Sequence, residues 1–170
     1  MLFWKKKNTG NQDSSSGTKT VSQDTGAPRK KILVVDDDPV TVKTLTLTLN
    51  AQGYNVLSAA DGSSAISILR QQNPDMMLVD VSLPPDVAMG GMVTWNGFQV
   101  LGWLRRANAS VPAIVISGSD KPEYKEQAAA VGADSFLAKP IDNAALLSSI
   151  ASALAKIQPA TGFNSLKLID

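Results

Sequence analysis

Four short apolar runs in this chain end in residues that could together hold a cation and a phosphoryl group. Ile32-Leu33-Val34-Val35 runs into Asp36, Asp37 and Asp38, and Met76-Met77-Leu78-Val79 runs into Asp80. Ala113-Ile114-Val115-Ile116 ends in Ser117, and Phe136-Leu137-Ala138 ends in Lys139-Pro140. A hard divalent cation such as Mg²⁺ takes carboxylate oxygens and keeps several waters. A carboxylate can act as a nucleophile toward phosphorus, giving an acyl phosphate. A cation, an ammonium and a hydroxyl can then neutralise and hold the oxygens of the transferring group. The residue types at these four run ends match that chemistry, provided that the fold gathers them.

An open parallel sheet would gather them, because the carboxyl ends of its strands share one edge and ligands bind there. The chain reads as a five-fold alternation of strand and helix from residue 30. Strands are expected at 31–36, 55–60, 75–80, 112–117 and 134–138. Helices are expected from Pro39 toward Gly53, at 63–72, at 96–107, from Lys121-Pro122 to Gly132, and at 143–156. The first helix is the ambiguous element: from Val40 to Leu49 apolar residues alternate with Thr and Lys, which by itself reads as a strand. Asp38-Pro39 is a helix start signal, and two parallel strands need a crossover between them. Val42, Leu45 and Leu49 also share one helical face, so a helix is expected. The fold class that follows is α/β: a doubly wound, five-stranded parallel sheet flanked by five helices.

Composition narrows the chemistry. The 170 residues hold no cysteine and no histidine, which excludes disulfides, thiolate or imidazole metal sites, His-based triads and a phosphohistidine on this chain. Charge is uneven: residues 1–31 carry seven Lys/Arg and two Asp, whereas residues 32–155 carry twelve Asp/Glu and seven Lys/Arg. Residues 1–28 are rich in Ser, Thr, Gly, Gln and Lys without apolar periodicity and are expected to be a disordered basic tail. Such a tail serves as a solvated linker, or alternatively touches an anionic surface such as a membrane or nucleic acid. Its tip, Leu2-Phe3-Trp4 before Lys5-Lys6-Lys7, has the form of a weak interfacial anchor. No run approaches the ~20 residues of a membrane helix, and the tip reverses the order of a secretory signal, so a cytoplasmic location is expected. The folded domain is expected over 29–156, with a loosely packed tail at 157–170.

In these motifs the chain resembles the receiver domain of two-component response regulators. The resemblance spans about residues 30–156. It rests on Lys-Ile-Leu-Val-Val-Asp-Asp-Asp-Pro at 31–39, Pro-Asp-Met-Met-Leu-Val-Asp at 74–80, Leu-Pro at 83–84 and Asn-Gly-Phe at 96–98. It continues through Val-Pro-Ala-Ile-Val-Ile-Ser-Gly at 111–118 and Gly-Ala-Asp-Ser-Phe-Leu-Ala-Lys-Pro at 132–140. The resemblance implies a flavodoxin-like strand order, 2-1-3-4-5. It implies that Asp36 and Asp37 organise Mg²⁺ (or Mn²⁺) together with Asp80 and the backbone carbonyl of Ser82, and that Asp80 accepts the phosphoryl group. Ser117 would shift toward a phosphoryl oxygen, Lys139 would pair with the group, and Phe136 would occupy an aromatic switch position. The peptide bond Lys139-Pro140 matches one that is often cis in the family. Asp38 falls outside the metal set and reads as a helix cap.

The resemblance also implies a phosphorylation-controlled binding module rather than a classical enzyme. Its donor would be a histidine kinase or a phosphotransfer protein. Its output would pass to a downstream protein through the face of helix 4, strand 5 and helix 5, with no DNA-binding domain in the chain. An alternative with the same residues is an intermediate phosphoryl relay or sink between histidine proteins. A phosphoaspartate hydrolase of the haloacid dehalogenase type would need a second Asp two residues after the nucleophile, where this chain has Ser82. The sequence departs from the family in its long loop, 84–96. It carries Met89, Met92 and Trp95, which suit either an adaptable contact or an insertion folded onto the surface.

Overall fold

A computed structural model describes residues 28–85, 95–107 and 110–156. The elements run β1 Lys31–Val35, α1 Pro39–Ala51, β2 Asn55–Ala59, α2 Gly62–Gln72 and β3 Met76–Asp80. They continue with α3 Gly97–Arg106, β4 Ala113–Ser117, α4 Pro122–Ala130, β5 Ser135–Ala138 and α5 Asn143–Ala155. The five strands form one parallel sheet in the order β2-β1-β3-β4-β5. The expected α/β architecture and strand order are therefore present. The basic tail and its apolar tip, the 157–170 tail and residues 86–94 of the long loop lie outside the described residues.

The three central strands are apolar on both faces because helices cover both. Ile32, Val34, Met76, Leu78, Ile114 and Ile116 pack with Leu45 and Leu49 of α1 and Leu146, Ile150 and Ala153 of α5. The alternate residues Leu33, Val35, Met77, Val79, Ala113 and Val115 pack with residues of α2, α3 and α4 on the opposite face. Alternation along each strand thus splits the core in two, as a pleated sheet requires.

The strand-like text of α1 is explained by what that helix buries. Leu45 and Leu49 enter the core and Val42 packs beside them, whereas Val40 and Leu47 are 70% and 63% exposed. Two of the five alternating apolar residues therefore face water, and the crossover requirement overrides local pattern. The start is fixed by Asp38, whose carboxylate accepts the backbone N–H of Val40 and of Thr41 at 3.1 Å each, with Pro39 at the first helical position. Asp61 and Asp142 cap α2 and α5 in the same way, accepting from Ser64 and Ala145 at 2.7 and 2.8 Å. Asn96 opens α3 with a reciprocal capping box to Gln99.

Gly53 and Gly132 turn the chain after α1 and α4 with φ of +83° and +80°, a region costly for any residue with a Cβ. Their surroundings differ: a Cβ on Gly53 would meet nothing within 4 Å, whereas one on Gly132 would lie 3.2 Å from Arg105 Nε. Arg105 is itself bound there, donating to the carbonyls of Gly132 and Val111 at 2.9 and 2.8 Å. Gly53→Ala is expected to destabilise by about 1 kcal/mol, the left-handed backbone cost alone. Gly132→Ala is expected to cost more, because it also disturbs Arg105. Urea midpoints of the two variants check the ranking, and equal losses would contradict it.

Candidate functional site

Every predicted site residue except Phe136 stands at or just past a strand end, on the shared carboxyl edge. Asp80 and Ser117 are the last residues of β3 and β4, Asp36 follows β1, and Lys139 follows β5. Register brings them together. Val35 pairs with Val79, Asp80 with Ile116, and Ser117 with Ala138. Asp36, Asp80 and Ser117 are the buried polar residues among those described, at 3%, 4% and 2% exposure.

Lys139 connects the two carboxylates. Its Nζ lies 2.8 Å from Asp36 Oδ2 and 2.8 Å from Asp80 Oδ1. Its backbone N–H donates to Ser117 O at 2.7 Å, and its bond to Pro140 is cis. The remaining carboxylate oxygens are satisfied by backbone. Asp36 Oδ1 accepts from Asp38 N–H at 2.9 Å, and Asp80 Oδ2 accepts from Ser82 N–H at 2.6 Å. Ser117 Oγ accepts the backbone N–H of Ser119 at 3.1 Å. Buried charges persist when they are paired and hydrogen-bonded in this way.

Burial pushes the Asp80 carboxyl above its ordinary value. The Lys139 hydrogen bond and charge and the Ser82 N–H oppose this without cancelling it, and the Asp36 charge adds to it. Burial alone would lower the Lys139 ammonium. Its hydrogen bonds to Asp36 and Asp80 outweigh that, and their charges add to the upward shift. The site is thus two carboxylates short of solvent, sharing one cation.

Not every expected residue joins this cluster. Asp37 is exposed, and among the described residues no three acidic side chains converge closely enough to form a ready-made metal cage. The carboxylates that do converge, Asp36 and Asp80, already share one positive charge and are hard oxygen donors. They suit a hydrated Mg²⁺, which is bound through one or two carboxylates and keeps its waters. Ser82 is exposed beside them. The contact it makes here is its backbone N–H to Asp80, a turn typical of Asp two residues before a backbone donor. The Asp-x-Ser spacing carries that signal, although sequence reasoning assigned only the carbonyl. Phe136 sits mid-β5, half-buried against the α2-α3-α4 face of the core. Asp38 lies outside the cluster as a cap, as expected.

The sequence reading missed Gly97. A Cβ at this position would collide with the backbone oxygen of Asp80, so the start of α3 is pressed against the end of β3. A lone Gly one residue past a helix cap gives no sign of that contact.

A family model described as the response regulator receiver domain matches residues 32–151. Protein PilH of Pseudomonas aeruginosa is 33% identical over 127 residues, covering 74% of this chain and 98% of PilH. The "Probable transcriptional regulatory protein TcrX" of Mycobacterium tuberculosis is 35% identical over 109 residues. That match takes in 64% of this chain, which spans only 43% of TcrX. Among solved structures, the chemotaxis response regulator CheY4 of Vibrio cholerae superposes at TM-score 0.64 with 27% identity, covering 74% of this chain and 99% of that one. The receiver domain of the Francisella response regulator 1452 superposes at TM-score 0.68 with 25% identity, covering 76% of this chain and 100% of that one.

The raised Asp80 carboxyl has a consequence for stability. Between its unfolded and folded values the native state binds more protons, so the stability that Asp80 contributes falls as pH rises through that window. In Mg²⁺-free buffer, wild-type stability minus that of Asp80→Asn is expected to decline as pH rises from about 4, the unfolded carboxylate value. It should level off above the folded value. Denaturant midpoints across pH check this, and a difference that grows with pH would contradict it.

Proposed function

The chain belongs to the response regulator receiver family, and from that premise we propose that Asp80 accepts a phosphoryl group in a Mg²⁺-dependent reaction that switches a protein-binding surface. The observation that carries this reading is Lys139 bridging buried Asp36 and Asp80 at 2.8 Å each. A nucleophilic carboxylate, a second acidic ligand and a charge-neutralising ammonium lie within one contact distance of each other.

In the proposed step an Asp80 carboxylate oxygen attacks phosphorus as the bond to the donor's imidazole nitrogen breaks. The donor's other ring nitrogen carries a proton, so the products are an acyl phosphate on Asp80 and a neutral histidine on the donor. Lys139 is placed to pair with the phosphoryl oxygens, and the Ser117 hydroxyl to donate to one of them. The Ser82 N–H holds the second Asp80 oxygen, which fixes the direction of attack. Asp36, Asp37, Asp80 and the Ser82 carbonyl would hold Mg²⁺. When bound, Mg²⁺ supplies charge neutralisation of the transferring group.

The histidine must come from another protein, because this chain has none. A histidine kinase or phosphotransfer protein is the proposed donor. Val40 and Leu47 are the strongly exposed large apolar residues among those described. Both lie on α1, which starts at the acidic corner, and a donor helix could cover them. The downstream partner is proposed to read the α4-β5-α5 face. The near-complete overlap with PilH supports a receiver unit that acts through partner proteins. A relay between histidine proteins uses the same atoms, and fast reverse transfer to a phosphotransfer protein would distinguish it.

Intact mass after incubation with phosphoramidate and Mg²⁺ tests the core of the proposal. We expect one phosphoryl-sized gain, absent in Asp80→Ala and in the metal-free sample. No gain in a folded wild type, with small donors and with a phosphohistidine donor alike, would refute it. The rim suggests how long the product lasts. Gly118 and Ser82 are exposed, and a Cβ on Gly118 would meet nothing within 4 Å. Water therefore reaches the site, and the acyl phosphate is expected to decay well within hours. A half-life of many hours would show shielding that these residues do not provide.

A further inference from the structure

Two glycines around the site are there for space and not for backbone conformation. Gly62 and Gly97 both lie outside the left-handed region, where Gly53 and Gly132 fall among the described glycines. A Cβ on Gly97 would nevertheless collide with Asp80 O and stand 2.9 Å from Asp80 C and 3.0 Å from Val79 Cγ2. A Cβ on Gly62 would collide with Trp95 Cβ and stand 2.6 Å from Trp95 Cγ. Each glycine is the first residue of its helix, α2 or α3. The two positions are joined by three consecutive residues, Trp95-Asn96-Gly97.

Those three residues are fixed at every point. The Trp95 ring packs against the α2-α3-α4 face of the core, and its Nε1 is buried without a hydrogen-bond partner. Packing alone therefore holds the indole, against the cost of an unsatisfied N–H. Asn96 and Gln99 exchange hydrogen bonds of 2.9 Å in the capping box. Gly97 N–H donates to Val81 O at 3.1 Å, so the first turn of α3 touches the two peptide units that follow Asp80. The next residue, Ser82, carries the N–H that holds the Asp80 carboxylate.

We propose that Trp95 and Gly97 are positioning residues for Asp80, forming a close-packed clamp from the N-terminus of α2 to the peptide backbone of the phosphoacceptor. This deepens the receiver reading and rests on it for its link to phosphoryl transfer. Acyl phosphate formation demands an aligned carboxylate, and a displacement of about 1 Å at a reacting atom can cost ~10²-fold in rate.

The test uses the full chain and a single substitution type at three sites. Phosphorylation by phosphoramidate with Mg²⁺ is followed by intact mass at saturating donor. In parallel, the amide resonances of Val81 and Ser82 are recorded without Mg²⁺, and the melting temperature is measured. Gly97→Ala is expected to slow the saturated rate by about tenfold or more and to shift both amides. Gly62→Ala is expected to act in the same direction, more weakly, through Trp95. Gly102→Ala is the control on the same helix, where a Cβ would meet only Arg106 Nη1, at 3.6 Å. It should leave rate and amides unchanged. A purely structural role would lower the melting temperature of Gly97→Ala while leaving the rate and the Ser82 amide of the folded protein at their wild-type values, and that result would overturn the proposal. If Gly97→Ala does not fold, Gly62→Ala and Trp95→Phe decide on the same readouts, and wild-type values for both would overturn it. If wild type takes no phosphoryl group from any donor, the receiver reading fails, and the amide shifts alone decide whether the clamp exists.

Discussion

Two carboxylates cannot be buried at neighbouring strand ends without a cation between them, and the rest of this structure follows from that constraint. Asp36 and Asp80 project from β1 and β3, which are adjacent and parallel, so their charges are brought close by the sheet itself. Lys139 relieves the repulsion by reaching across from β5 at the far side of β4. One ammonium on two acids ties together three run ends distant in sequence. The Lys139 backbone adds a fourth through Ser117. The arrangement is stable enough to persist and still unsaturated. One positive charge facing two negative ones leaves a net negative pocket, which suits the arrival of a divalent cation ahead of a dianionic phosphoryl group.

Parallel topology is what makes this possible. Each strand must be followed by a crossover before the next, so every strand points its carboxyl end the same way and every functional residue arrives on one edge. The opposite edge is braced rather than functional. There Asp134 accepts from Ala113 N–H at 3.0 Å, and Asp75 accepts from Lys31 N–H at 2.8 Å. Carboxylates at that end terminate ladders. At the active end they are aimed at a ligand site. Composition does not separate the two kinds of aspartate, but position relative to the strand does.

Position is also what the sequence displays best. Apolar runs ending in Asp36, Asp80, Ser117 and Lys139 announced both the strands and the site, because strand ends are where polar residues must begin. The cap at Asp38 was readable for the same local reason, since a short polar side chain before a helix has few other uses. The misleading text of α1 was resolved only by topology, because whether Leu47 faces core or water depends on packing far from it in sequence. The contact between Gly97 and Asp80 was not readable at all. It depends on how close one helix start comes to one strand end, and a sequence does not record distance. Asp37 shows the complementary limit. Its place beside Asp36 suggested an equal partner, but consecutive residues at the end of a strand face different ways, and only Asp36 turns inward.

The site therefore has a floor and a rim under different control. Asp36, Asp80 and Ser117 form a buried floor set by the sheet. Moving any of them would mean moving a strand packed on both faces. Asp37 and Gly118 form an exposed rim, and exposed Ser82 joins it while tied to the floor by its N–H to Asp80. The proposed acceptance of a phosphoryl group rests on this floor, which the packed strands make hard to alter. Access of donors, water and partners depends on the rim and can vary without disturbing the core. The segment Trp95-Asn96-Gly97 is an exception to that division. It packs onto the floor through the backbone of Asp80, so under the proposed clamp its placement bears on the phosphoacceptor, as the Ser82 N–H does through its bond to the Asp80 carboxylate.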